Sequence, residues 1–282
     1  MSRAALYIVS TPIGNLDDSS KRMLEILADA DVIAAEDTRR AGQLLSRYGI
    51  KARKLISYYD QVEKQKAPEI VARMLEEELR VALISDAGTP CVSDPGFRLV
   101  AAAREKGVPV IPVPGASALL ALVAASGLPS DRFMFIGFLP SKVKSLIEEV
   151  ESWPATRSSI IFFESAKRIA KSLETISSVL PEAQVCIGRE LTKTYEEIHT
   201  SSIEDMVIWV REHTSLKGEV AVMCCCPDPK PMSNEDIVKI ALKAFKQGNS
   251  IKDVLGQLKG SGISRSDLYT LLLETKKSLE EG

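Results

Sequence analysis

Apolar and polar positions change rhythm repeatedly along the 282 residues, and each change marks an element. Short apolar runs of strand length fall at 6–10, 31–35, 55–57, 81–84 and 108–113. Between them the apolar spacing becomes helical. Leu24 and Leu27 define a helix over 16–28, and Leu44, Leu45 and Tyr48 define a second. A third is expected over about 68–79 with Pro68 in its first turn, where a missing N–H costs nothing. A fourth runs over 97–106 and stops at Gly107, and an alanine- and leucine-rich helix follows Pro114-Gly-Ala-Ser-Ala118. Strand after helix after strand predicts a parallel sheet covered on both faces.

Gly127-Leu-Pro-Ser-Asp131 interrupts this rhythm. Strands are then predicted at 133–138, 159–163, 184–188 and 219–224, and helices at about 143–151 and 167–180. Pro227-Asp-Pro-Lys-Pro231 reads as a rigid linker to an all-helical tail. There Ser233 with Asp236, Ser250 with Asp253 and Ser264 with Asp267 announce three capped helices. Ile240, Leu242, Val254, Leu258, Leu268 and Leu272 specify mutual packing. The last two helices, joined through Gly260-Ser-Gly262, also suit a helix-turn-helix that reads nucleic acid. The fold class is therefore α/β, with an N-terminal domain over 1–126, a second over 127–228 and a small helical domain over 232–282.

Composition narrows the function. A formal net charge of -2 gives no overall signature of a nucleic-acid binder, although a local basic face remains compatible with it. The most apolar stretch, 108–128, carries Pro112, Pro114, Gly115 and Ser117 and is no membrane span. The first residues run into a strand without the layout of a signal peptide, so a cytoplasmic location is expected. Five cysteines lack metal spacing and read as small core residues in a reducing compartment; no metal is expected. His199 and His213 read as surface or packing residues. Neither of the two common glycine-rich phosphate loops occurs, and no Gly-x-Ser-x-Gly elbow.

What remains is a set of loops at strand ends: Thr11-Pro-Ile-Gly-Asn15, Glu36-Asp-Thr-Arg39, Ser85-Asp-Ala-Gly-Thr-Pro90, Pro114-Gly-Ala-Ser-Ala118 and Phe162-Phe-Glu-Ser165. In an open α/β sheet such ends are where ligands sit. These loops are rich in backbone donors and carboxylates and poor in lysine. They suit a ligand with a positive centre and a nucleoside better than a polyphosphate.

The same loops resemble the tetrapyrrole-methylase superfamily, and within it the ribosomal RNA small subunit methyltransferase I family. The resemblance is carried by residues 6–16, Ile33-Ala-Ala-Glu-Asp-Thr-Arg39, Ser85–Pro90, Asp94-Pro-Gly96, Gly127–Phe133, Gly137-Phe-Leu-Pro140 and Arg189-Glu-Leu-Thr-Lys-Thr194. Ser10-Thr-Pro-Ile-Gly-Asn15 and Ile84-Ser-Asp-Ala-Gly88 depart from the porphyrin and corrin branch toward the RNA branch.

The resemblance implies a two-domain fold, with an N-terminal parallel sheet and a C-terminal mixed sheet, and a homodimer. It implies S-adenosylmethionine as methyl donor and 2′-O-methylation of a decoding-centre cytidine of 16S rRNA in the small ribosomal subunit. Carried over by position, Pro12, Ile13, Asp86, Gly88, Thr89, Ser117, Ala118, Phe163, Glu164, Gly218 and Glu219 should surround the donor. A ribose hydroxyl is a poor nucleophile, and Glu36, Asp37, Arg39, Asn15, Glu190 and Lys193 are the candidates to deprotonate it or to steady charge, with Arg39 and Glu36 ranked first. The alternatives are a methylase of a porphyrin-like macrocycle and a ribosome-assembly factor that binds RNA without catalysis.

Overall fold

The computed structural model describes residues 3–213, 218–226, 232–258 and 263–281. Its first half is a five-stranded sheet of β1 (Ala5–Val9), β2 (Val32–Ala35), β3 (Leu55–Ser57), β4 (Arg80–Ile84) and β5 (Val110–Val113). The order is β3-β2-β4-β1-β5, and every pair is parallel. The strands are nearly all apolar because both faces are covered. Leu6, Val32, Ala34, Val81 and Leu83 enter one core, whereas Val9, Ile33, Ala35, Ala82 and Ile84 enter the other. Strand order reverses between β4 and β1, so the carboxyl ends of these two strands open a crevice.

The helices of this half are α1 (Lys21–Asp29), α2 (Thr38–Arg47), α3 (Asp60–Glu76), α4 (Phe97–Glu105) and α5 (Ala118–Ala125). Two differ from the sequence expectation. Residues 16–18 form a single 3-10 turn, and α1 begins only after Ser20, whose hydroxyl accepts the Met23 amide. Pro68 lies inside α3, not in its first turn. Burial of Glu63, Ala67, Ile70, Val71 and Met74 on one face outweighs the backbone hydrogen bond that proline cannot donate.

The second sheet contains β6 (Phe133–Phe138), β7 (Ser159–Ser165), β8 (Gln184–Arg189), β9 (Glu197–Ser202) and β10 (Glu219–Cys225) in the order β6-β7-β10-β8-β9. It is mixed: β6 and β7 are parallel and the remaining pairs antiparallel. One face packs on α6 (Val143–Thr156), α7 (Ile169–Val179) and α8 (Ile203–Glu212) around Trp153, Phe162, Leu173 and Met206. The sequence reading missed β9 and α8. Edge strand β9 has few apolar positions, but Ser202 caps α8 at the Asp205 amide, a signal of the kind recognised elsewhere in the chain.

The other face of this sheet receives α5. Leu122 is fully buried among Ile161, Cys186, Leu191, Ala221 and Met223. A Cβ on Gly188 would stand 2.9 Å from Leu122 Cδ1 and 3.0 Å from Leu191 Cδ2. Glycine at this position in β8 is what lets α5 settle onto the sheet. The two halves are thus joined by an apolar lock as well as by the chain.

The tail forms α9 (Asn234–Lys246), α10 (Ile251–Gln257) and α11 (Arg265–Glu281). Ser233, Ser250 and Ser264 each accept the amide three residues on, as their spacing predicts. The buried face of α9 is Ile237, Ala241, Ala244 and Phe245; Ile240 is exposed and Leu242 only partly covered, contrary to expectation. The linker at 227–231 and the 260–262 connection lie outside the described residues. Among the cysteines, Cys186 and Cys224 are core residues, but Cys91 is an exposed loop residue with φ 70°. Its sulfur packs beneath Gly96, and burial of the thiol raises its pKa to about 11.

Truncating the lock should cost more than local packing. Leu122→Ala is expected to lose about 2–5 kcal/mol of stability in urea titration, as large-to-small core changes do. Gly188→Ala should also destabilise, because it drives a methyl group into Leu122 and Leu191; unchanged midpoints for both variants would rule the lock out.

Candidate active site

The crevice at the ends of β1 and β4 is closed from the far side by the second sheet, leaving a cavity of about 430 Å³. Its N-terminal wall is built from loops that hydrogen-bond to one another. The Thr11 amide donates to Gly88 O (2.8 Å) and the Gly88 amide to Thr11 O (3.1 Å). Gly88 has φ 79°, a conformation glycine takes without strain. Thr89 Oγ1 lies 2.8 Å from Ser10 Oγ and donates to Ala116 O at 3.3 Å, joining the third loop. Ser117 then caps α5 by accepting the Leu120 amide.

Asp86 links this wall to the next turn. Its Oδ1 accepts the Asp37 amide (3.1 Å) and its Oδ2 meets the Arg40 guanidinium (3.1 Å). Glu36 stands nearby. Burial, with Asp86 and Asp94 adding repulsion, raises its carboxyl above the ordinary glutamate value of 4.5. On the opposite wall Lys193 Nζ donates to Glu190 at 3.1 Å. The walls also touch: the Asn15 amide donates to Thr192 Oγ1 at 3.0 Å.

Most of the residues singled out from the sequence converge here. Ile13, Asp86, Gly88, Thr89, Ser117, Ala118, Phe163, Glu164 and Gly218 line the cavity, as do Glu36, Glu190 and Lys193. Pro12, Asn15, Asp37 and Arg39 are not among its lining residues. Asn15 caps the 3-10 turn through the Asp17 amide. Arg39, with its side chain 87% exposed, turns outward to make a two-pronged pair with Asp37. That pair holds the Asp37 carboxyl well below the usual range. The Glu219 backbone pairs opposite Ser165 of β7.

Glu164 borders the cavity, yet its carboxylate is committed elsewhere. It is nearly fully buried and accepts Ser172 Oγ (2.8 Å) and the Ser165 amide (2.8 Å), and it pairs with Arg168 (3.2 Å). Strand alternation explains this: Glu164 shares a face with Ile160 and Phe162, away from Ile161 and Phe163.

The sequence reading passed over Arg40, Phe138, Leu191 and the 92–94 segment, all of which line the cavity. Arg39 and Arg40 stand at similar angles from the buried Ala41 and Leu45 side of α2, so helical phase does not separate them; their partners do, Asp37 for Arg39 and Asp86 for Arg40.

Comparison with known proteins places the chain in a family. The Tetrapyrrole (Corrin/Porphyrin) Methylases family profile matches residues 5–207. A chain from Mesorhizobium japonicum named ribosomal RNA small subunit methyltransferase I is 43% identical over 279 residues, covering 99% of this chain and 94% of that one. The chain belongs to the ribosomal RNA small subunit methyltransferase I family. A second member, from Escherichia coli O157:H7, is 46% identical over 224 residues, 79% of this chain and 78% of its own. Solved structures share the fold. The methyltransferase CobJ has TM-score 0.59 at 19% identity, covering 79% of this chain and 94% of that one. Uroporphyrin-III C-methyl transferase from Thermus thermophilus, complexed with S-adenyl homocysteine, has TM-score 0.51 at 17% identity, covering 78% and 96%.

As a member of the ribosomal RNA small subunit methyltransferase I family, the chain is a methyltransferase dependent on S-adenosylmethionine. The residues present fit that donor. Asp86 and Glu36 offer negative charge to a sulfonium, the start of α5 offers backbone donors to a carboxylate, and Ile13, Phe163 and Leu191 offer apolar surface to a nucleoside.

Because its proton affinity is raised in the folded state, ionised Glu36 opposes folding, and its penalty grows as pH rises from the ordinary glutamate range through the raised value. Glu36→Gln should therefore melt at an equal or higher temperature than the parent at pH 7, and the difference should shrink below pH 4. A lower melting temperature at pH 7 would contradict this electrostatic picture.

Proposed function

We propose that this chain transfers a methyl group from S-adenosylmethionine to the ribose 2′-hydroxyl of a decoding-centre cytidine of 16S rRNA, acting on the small ribosomal subunit. What carries the reading is the 43% identity over 279 residues to a chain named for ribosomal RNA methylation. The donor, when bound, supplies an electrophilic methyl carbon on a sulfonium. Ile13, Gly88, Thr89, Ser117, Ala118, Phe163, Gly218 and the backbones of Glu164 and Glu219 enclose it, with Pro12 shaping the turn that carries Ile13. Asp86 offsets its positive charge. Displacement at carbon needs the attacking oxygen in line, so holding the sugar still supplies much of the rate.

Glu36 is the proposed acceptor of the hydroxyl proton, because it lines the cavity and its proton affinity is raised toward neutrality. Arg40 takes the place first given to Arg39, steadying the oxygen or an adjacent phosphate from the cavity wall. Glu190 and Lys193 hold the opposite wall through their mutual contact. Asp37 and Asn15 shape the turns behind it, at the starts of α2 and of the 3-10 turn. A homodimer is also proposed. Helix α5 is entirely apolar, yet Leu120 remains 56% exposed, as an interface helix would be in an isolated chain.

The deciding experiment is methyl incorporation from labelled donor into purified small subunits, followed by alkaline hydrolysis. A 2′-O-methyl group blocks cleavage, so label should survive in a dinucleotide; label on a base, or uptake by a free tetrapyrrole only, defeats the reading. Asp86→Asn should weaken donor binding about 10- to 100-fold by calorimetry, the scale of a lost charged contact. The acid limb of the parent's pH–rate profile should lie above 4.5 and disappear in Glu36→Gln together with most of the rate.

A further inference from the structure

The Gly137-Phe-Leu-Pro140 segment has no part in the roles above, yet the fold takes trouble over it. Strand β6 pairs with β7 in regular register from Phe133↔Ser159 through Phe135↔Ile161, and then Phe138, rather than Gly137, falls opposite Phe163. One extra residue has been inserted, with Gly137 at φ 71°. Strand side chains alternate, so the bulge reverses the side taken by residue 138. In unbroken register Phe138 would oppose Glu164 and enter the helix-covered core. With the bulge it stands beside Phe163 on the cleft side.

The result is a ring that lines the cavity while remaining 62% exposed. Phe138 meets Phe163 edge-on at 5.9 Å, and Phe163 meets Phe135 edge-on at 4.9 Å. The chain beyond it is pinned. Arg168 donates to Leu139 O (2.9 Å) and Pro140 O (3.1 Å) while paired with the buried Glu164 carboxylate. This explains what the Glu164 carboxylate does in place of touching the cleft. Lys142 and Lys144, both exposed, follow on the same segment, and Arg40 lines the cavity from the other half. Arg40 is paired with Asp86 and Lys144 with Glu148, so it is the exposed aromatic face at the cavity mouth that suits a flat, unpaired base.

We propose that Phe138 is a substrate-binding residue that stacks on an unpaired base of the RNA at the cavity mouth and so fixes the position of the sugar to be methylated. This rests on RNA being the substrate. The competing occupants of the ring are the adenine of the methyl donor and a second copy of the chain.

The test compares the full-length chain with Phe138→Ala, Phe138→Leu and Phe138→Trp. The ring is largely exposed, so melting temperatures should be close to the parent's. With small subunits as substrate, Phe138→Ala and Phe138→Leu should lose about 5- to 150-fold in kcat/KM, the range of a lost base–aromatic stack, while Phe138→Trp keeps most of it. Affinity for S-adenosylhomocysteine should stay within about twofold of the parent's in all three. Small-subunit RNA, but not the donor product, should quench the added tryptophan emission of Phe138→Trp. Equal activity of Phe138→Leu and Phe138→Trp, or a parallel loss of S-adenosylhomocysteine affinity, or a changed oligomeric state by sedimentation would each overturn the proposal. If the unmodified chain methylates no RNA, the substrate reading itself fails; if it does and Phe138→Ala matches it, only the role of Phe138 fails.

Discussion

One contact fixes where chemistry can happen in this molecule: the seating of α5 against the second sheet. Leu122 is fully buried there, and the missing side chain of Gly188 makes the room. The same helix begins at Ser117 on the cavity wall. A helix that is both wall and lock transmits any shift between the halves directly to the cavity. The hydrogen bonds between Thr11 and Gly88 and from Asn15 to Thr192 are weaker individually, but they set the remaining walls to the same position.

Within that frame the charges are unevenly balanced. Glu36, Asp86 and Asp94 line one wall, where Arg40 pairs with Asp86. Burial first, and the neighbouring Asp86 and Asp94 second, raise the proton affinity of Glu36, and the carboxylates of this wall suit a cationic centre. Stability is sacrificed locally, as is common where a site must be ready before its ligand arrives. The buried Glu164 shows the opposite economy: Ser172, Arg168 and the Ser165 amide satisfy it, and it serves architecture at the cavity edge.

Much of this was legible in the sequence, and the reasons are physical. Parallel strands buried on both faces leave apolar runs that stand out, so β1 to β5 were readable, as were the loops at their ends. Capping serines marked all three tail helices because a side-chain acceptor for the first free amides is a local requirement. What escaped depended on tertiary partners or register. Choosing Arg40 over Arg39 requires knowing which carboxylate each guanidinium meets, Asp86 or Asp37. The direction of Phe138 depends on one inserted residue in β6, and the commitment of Glu164 depends on which face of β7 it takes. Strand β9 escaped because an edge strand with Glu197, His199, Thr200, Ser201 and Ser202 has little apolar signal. Pro68 misled because tertiary burial of α3 overrides a local preference.

The central claim is that one cleft, walled by both halves and held by α5, receives the methyl donor. Amide hydrogen exchange of the intact chain with and without S-adenosylhomocysteine tests it most directly. Protection is expected together at the loops following β1 and β4, at the start of α5, and at residues 162–165 and 188–193 of the second half. Protection confined to one half, or no change at the Asp86 and Ser117 loops under saturating ligand, would contradict it.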